Sequence, residues 1–274
     1  MKQYLELVDR VLKTGTMRND RTGTGTVSVF GTQTTFDLRE GFPATTTKRL
    51  SFKQVVGELL CFIHGSHMIQ DFHDRGVKIW DANATAEYWK PELPGDMGRI
   101  YGTNWRDWQS VTSNGDIKST DQLVGLINGI KKDPYSRRHM VVAYNPGELD
   151  QVCLPPCHVL FQCYVDSEYL DLRFDMRSCD LFLGAPFNIA SYSLLLHLIA
   201  REVGLSARYV VMQTGDTHIY ANHIMQVKEM LRRTPMRPPQ LAITKNKSLF
   251  QLNVDDFELL NYNPREAIKA PMAV

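Results

Sequence analysis

The chain lacks what would tie it to a membrane or to bulk nucleic-acid binding. No apolar run reaches the roughly 18 residues that a bilayer span needs. Lys and Arg number 31 and Asp and Glu 30, leaving a net charge of +1. No overall field therefore draws in nucleic acid or an anionic surface, and any bound anion must be held by local arginines. The opening Met1-Lys2-Gln3-Tyr4-Leu5 does not read as an export signal. Five cysteines (61, 153, 157, 163 and 179) are an odd number without disulfide or zinc regularity. Cys153 and Cys157 enclose two prolines and have no second pair to complete a metal site. The expectation is reduced thiols in a cytoplasmic protein, with no metal. No linker, repeat or low-complexity tract divides the sequence, so residues 1–274 read as one domain.

Present instead is an orderly mixture of helical and strand patterns. Tyr4, Leu5, Val8, Val11 and Leu12 predict a helix over 2–14, ended by Gly15. Val27 and Val29 predict a strand, and Thr34, Phe36 and Leu38 a neighbouring one. Ser51 with Gln54 reads as a capping box, opening a helix through Ile63 that carries Glu58 among apolar neighbours. A short helix is expected over 69–75, a long loop over 81–99, and a helix capped by Thr120 and stopped at Asp133-Pro134. Strands through Val141 and over 158–165 follow, the second turning at Asp166-Ser167 into another, where Leu170, Leu172, Phe174 and Met176 alternate with charge. Residues 188–203 are apolar nearly all round and predict a central helix. A strand over 208–214 and a helix over 221–233 complete the pattern.

The chemistry centres on Leu154-Pro155-Pro156-Cys157-His158. Two prolines fix the backbone just before a thiol and an imidazole at the mouth of a strand. A thiol attacks as thiolate, and cations lower its pKa. Arg21, Arg137, Arg138 and Arg177 each stand at an element end, able to reach an anion, although paired surface arginines are often merely solvated. Asn19-Asp20-Arg21-Thr22-Gly23-Thr24-Gly25-Thr26 could cradle a phosphate, but taken alone it reads as a plain loop. It lacks the Lys-Ser/Thr ending of a P-loop. Cysteine among phosphate-binding arginines fits a phosphatase or a group-transfer enzyme that attacks an activated ring. A strand without glycine after Cys157 offers no phosphatase cradle, and no Cys-then-helix pattern supports a papain-like protease. Glu58, if buried, gains a raised pKa suited to proton transfer; a solvated face residue is the plainer reading.

Six blocks in order resemble the thymidylate synthase family along the whole chain: Asn19–Gly25, Pro155–His158, Arg177-Ser178-Cys179-Asp180, Gly184–Asn188, Gly215-Asp216-Thr217-His218-Ile219-Tyr220 and Ala270–Val274. The resemblance implies an α/β (α+β) fold, a large mixed sheet covered by helices on one face, with two sheets back to back in a homodimer. It implies that Cys157 attacks C6 of deoxyuridylate (dUMP) and that the co-substrate is 5,10-methylenetetrahydrofolate. Arg21, Arg177 and Ser178 would hold the phosphate, with Arg137 and Arg138 reaching in from the partner chain, and Cys179 and Asp180 would also contact dUMP. His218 and Tyr220 would hold the ribose, and Asn188 would read the uracil edge. Glu58, His158 and Tyr101 would relay protons. Asp180 would bind the pterin, with Ile79, Trp80, Leu183, Gly184, Phe187 and Ala273 on the folate side. Departures from the family pattern are Asn83 and Cys61, where tryptophans are common, and Met176 in place of glutamine. Related hydroxymethylases share the early chemistry but let water, rather than hydride, finish it. The intact tail and Trp80 favour hydride. An idle nucleotide-binding subunit conflicts with the intact Cys157, Glu58 and Asn188. No basic stripe with interleaved aromatics points to RNA.

Overall fold

Tyr4, Leu7, Val8 and Val11 recur at helical spacing and bury one side of the first helix, α1 (Lys2–Thr14), as the pattern predicts. A computed structural model describes residues 1–20 and 23–272. Arg21 and Ala273 therefore lie outside the described residues. After α1 come β1 (Thr16–Arg18), β2 (Thr26–Asp37), α2 (Phe52–His64), α3 (Ile69–Asp74), α4 (Asp81–Ala84) and α5 (Tyr101–Arg106). The middle holds β3 (Trp108–Val111), β4 (Ile117–Thr120), α6 (Gln122–Lys132), β5 (Met140–Val142), β6 (His158–Asp166) and β7 (Tyr169–Asp180). The chain closes with α7 (Gly184–Val203), β8 (Ser206–Tyr220), α8 (Ile224–Arg232), β9 (Gln240–Ile243) and β10 (Phe257–Leu260).

One six-stranded mixed sheet, ordered β1-β2-β8-β7-β6-β5, forms the frame. Its pairs are antiparallel except β7 with β8, which run parallel. A parallel pair needs a crossover, and α7 supplies it. The buried residues Leu170, Leu172, Phe174 and Met176 of β7 alternate with half-exposed ones, so one sheet face is core. Tyr192 of α7 stacks on Phe174 at 4.1 Å, with planes 8° apart. On the other side of the strands Gln33, Thr35 and Tyr164 remain exposed.

Several local expectations are corrected. Residues 26–37 form one strand rather than two, because Gly31 (φ 77°) kinks it without turning it. Ser51 makes no capping bond; Gln54 instead bonds the Ser51 hydroxyl and accepts from Lys78 N–H. Asp121, not Thr120, caps α6 through Val124 N–H at 3.0 Å, and Thr120 belongs to the unforeseen β3–β4 hairpin. The strand expected over 208–214 runs on to Tyr220 and takes in Gly215–Tyr220. His139 is buried and bonds the Asp133 carbonyl, closing α6.

Two helices that carry site residues touch backbone to backbone. A Cβ added at Gly102 on α5 would lie 2.6 Å from Phe62 Cα and 2.7 Å from Phe62 carbonyl oxygen on α2. Only glycine permits this approach. Gly102→Ala is expected to cost about 1–3 kcal/mol by overpacking, measured by urea unfolding. An unchanged midpoint would show that α5 shifts without penalty.

Candidate active site

Site residues gather where β6 begins and where the parallel strands β7 and β8 end. The register sets Ser178 beside Asp216, Cys179 beside Thr217 and Asp180 beside His218. Antiparallel pairing of β6 with β7 sets His158 opposite Met176. Strand geometry thus collects three sequence blocks at one end of one sheet.

Tyr101 joins the parts. Its hydroxyl oxygen accepts from Cys157 N–H at 2.7 Å. Its ring lies 4.6 Å from the His158 ring and 6.0 Å from Trp80. Trp80 in turn donates its indole N–H to Glu58 at 2.8 Å. Glu58, His158 and Tyr101 are all buried, whereas Cys157 is partly accessible.

Arg177 wraps the cysteine loop. Its guanidinium bonds the Pro156 carbonyl at 2.9 Å and the Pro155 carbonyl at 2.8 Å, and Nη2 lies 3.9 Å from Cys157 Sγ. The two prolines therefore present their carbonyls to the cation that faces the thiol. Even so, burial pushes the Cys157 thiol up, and Arg177 and Tyr101 only partly offset this. The arginine does not by itself outweigh burial.

His158 is pushed down to about 3 by burial, so its ring is neutral at working pH. Asn188 Nδ2 lies 2.7 Å from His158 Nε2, an amide donor facing an imidazole lone pair. Burial raises Glu58 to about 7, the Trp80 bond offsetting only part of the shift. Glu58 is thus the buried carboxyl, not the solvated one. Asp180 Oδ1 accepts from Phe182 and Leu183 N–H at 2.9 and 3.3 Å, which fixes the turn into α7. His218 bonds Asp216 at 3.0 Å and meets the Tyr220 ring edge-on. Ile79, Leu183 and Phe187 are half-buried around this end, while Trp80 is core. Among the described residues no cluster of His, Cys, Asp or Glu could hold a metal, and no helix is long and apolar enough to cross a membrane.

Arg137 and Arg138 do not join this group. Both are exposed at the start of β5, whose Met140 pairs with Gln162. Gln162 stands five residues along β6 from Cys157, roughly 17 Å at strand rise, and the arginines lie further still.

Lys48 escaped notice in the sequence. It is buried, donates to the Phe182 carbonyl and lies 3.9 Å from the Phe182 ring centre. Burial pushes it down to about 8, with Asp180 opposing. The signal was available: Thr45-Thr46-Thr47-Lys48 is a polar run between apolar neighbours, and the whole run is buried. Tyr192 of the core helix α7 also meets the His158 ring, at 5.4 Å.

The family model for thymidylate synthase matches residues 2–274. The chain belongs to the thymidylate synthase family. It is 49% identical over 275 residues to the thymidylate synthases of three Coxiella burnetii strains, Dugway 5J108-111, RSA 331 and RSA 493, covering all of each chain. Its enzyme class is accordingly that of a one-carbon transferase.

Proposed function

We propose that this chain converts deoxyuridylate to thymidylate, taking one carbon and a hydride from 5,10-methylenetetrahydrofolate and releasing dihydrofolate. The observation that carries this reading is the join at Tyr101, which connects a partly accessible thiol, a neutral imidazole–amide pair and a carboxyl near pKa 7. Cys157 Sγ bonds to C6 of the pyrimidine, and the C5–C6 electron pair moves toward C5 and O4. C5 attacks the methylene carbon. Loss of the C5 proton then breaks the remaining carbon–nitrogen bond to the folate, leaving a methylene on C5 and tetrahydrofolate as the hydride donor. Hydride completes the methyl group, and Sγ leaves C6.

Each chain residue has a task in that scheme. Because burial favours the protonated thiol, attack waits for the nucleotide to complete the site. Arg177 and Ser178, with Arg21, hold the phosphate. His218 and Tyr220 hold the ribose. Asn188 offers a donor and an acceptor to the uracil edge. Glu58 gives and takes protons at O4 and C5, with a pKa matched to neutral pH. Asp180 binds the pterin, with Ile79, Trp80, Leu183, Gly184 and Phe187 beside it, and Ala273 belongs to the closing tail. The synthase names of the relatives favour hydride over water as the last step.

Incubation with both substrates, followed by dihydrofolate absorbance and nucleotide mass, tests this. Equal amounts of thymidylate and dihydrofolate are expected. 5-Hydroxymethyldeoxyuridylate without dihydrofolate would overturn the hydride step.

The open sheet face and the remote arginines support a homodimer in which Arg137 and Arg138 enter the partner's site. Mixing Cys157→Ala with Arg138→Ala chains should then restore activity. Random pairing leaves about a quarter of sites intact. No recovery after subunit exchange, with each variant dimeric, would place Arg138 in its own chain's site or outside both.

A further inference from the structure

His223 is fully covered, and the scheme above gives it no task. It ends the short turn Ala221–His223 directly after β8. Three parts of the site meet on its ring. Phe182, two residues after Asp180 and bonded to that carboxylate through its N–H, packs at 5.5 Å between ring centres. Tyr220 meets the ring edge-on at 5.6 Å and 72°. Across from these, Nε2 donates to the Pro271 carbonyl at 2.7 Å.

That last bond has a particular place. A carbonyl only accepts, so Nε2 carries a proton. Among the described residues Nδ1 is buried without a hydrogen-bond partner, so the ring's polar commitment there goes to Pro271. Further up the tail, Arg265 N–H bonds Thr46 carbonyl at 2.7 Å, and Arg233 bonds Glu266 carbonyl at 2.6 Å and Thr47 carbonyl at 3.0 Å. These ties hold residues 265–266, and His223 holds the stretch beyond them.

We propose that His223 is a positioning residue, the anchor through which Tyr220 on the nucleotide side and the Asp180–Phe182 turn on the folate side set the place of the C-terminal segment. The apolar ring faces fix the imidazole against both turns, and its one N–H holds the backbone of the tail. A shift of either turn moves the donor and so moves Pro271. The part concerning catalysis rests on the thymidylate synthase reading; the anchoring does not.

The test uses the full chain without substrates. Lys269 is exposed just before the anchored stretch. Tryptic cleavage after Lys269, read by intact mass, therefore reports how often the segment lifts. His223→Leu is expected to be cut roughly fivefold to tenfold faster, the loss of one hydrogen bond. His223→Gln, whose amide nitrogen reproduces the Nε2 donor, should stay within about twofold of wild type. His223→Asn, one bond shorter, should behave like the leucine variant and decides the matter if leucine prevents folding. With substrates, the leucine and asparagine variants should raise KM for the folate more than KM for dUMP, and glutamine should rescue both effects. Wild-type cleavage in the leucine and asparagine variants would overturn the anchor. So would a glutamine variant cut as fast as they are while melting at the wild-type temperature. Correct proteolysis with unchanged folate KM would overturn only the catalytic part.

Discussion

Cys157→Ala is expected to lower kcat by at least about 10⁴-fold, because no other group in the scheme can form the bond to C6. Affinity for dUMP should change by less than about threefold. The phosphate and ribose contacts are assigned to Arg177, Ser178, His218 and Tyr220, and alanine disturbs none of them. The residual protein should stay folded, since a partly accessible thiol contributes little burial. Cys157→Ser keeps the shape but replaces the thiol with a far weaker acid, so it should fall nearly as low. Equilibrium dUMP binding and single-turnover rates separate the two effects. If the alanine variant kept a tenth of wild-type kcat, the nucleophile would have to be another group.

Glu58→Gln is expected to lower kcat by about 10²–10³-fold, the usual range for a lost general acid–base. The substitution keeps an acceptor for the Trp80 indole N–H, so the packing of Phe62, Trp80 and Tyr101 should survive. The pH profile separates chemistry from packing. Burial raises Glu58 to about 7, so wild type should show a titrating limb near pH 7 that the glutamine variant lacks. Stability gives a second reading with a fixed sign. A carboxyl whose folded pKa is raised favours the fold fully below its unfolded value of about 4.5. That contribution is lost as pH rises through about 7. Wild-type stability should therefore carry a downward term between those limits, absent in Glu58→Gln. A wild-type limb that persists in the variant would assign the ionisation elsewhere; His158, at about 3, is not a candidate.

Much of this site was legible because its residues come in contiguous blocks. Pro155–His158 and Arg177–Asp180 each announce local chemistry, and alternation along β7 correctly gave its buried face. What was not legible depends on register or desolvation. Nothing local says that Asp180 and His218 become neighbours, because the parallel pairing of β7 and β8 is set by the α7 crossover. Cations near Cys157 are expected to favour its thiolate, yet burial outweighs Arg177, and burial is a property of the whole fold. The runs at Val27–Val29 and Thr34–Leu38 read as neighbouring strands, but pairing of β2 with β8 on both sides of Gly31 keeps them one strand. Helix caps failed for a similar reason. Gln54 was drawn off by Lys78 N–H, a contact from another element.

The most direct measurement asks which atom carries the nucleotide during turnover. Wild-type and Glu58→Gln proteins are mixed with dUMP and methylenetetrahydrofolate, quenched in acid at short times, and digested for peptide mass mapping. The account predicts nucleotide mass on the peptide containing Cys157, more abundant in the slower variant and absent from the other four cysteines. Nucleotide on Cys179, or thymidylate formed at full rate by the Cys157→Ala chain, would contradict it.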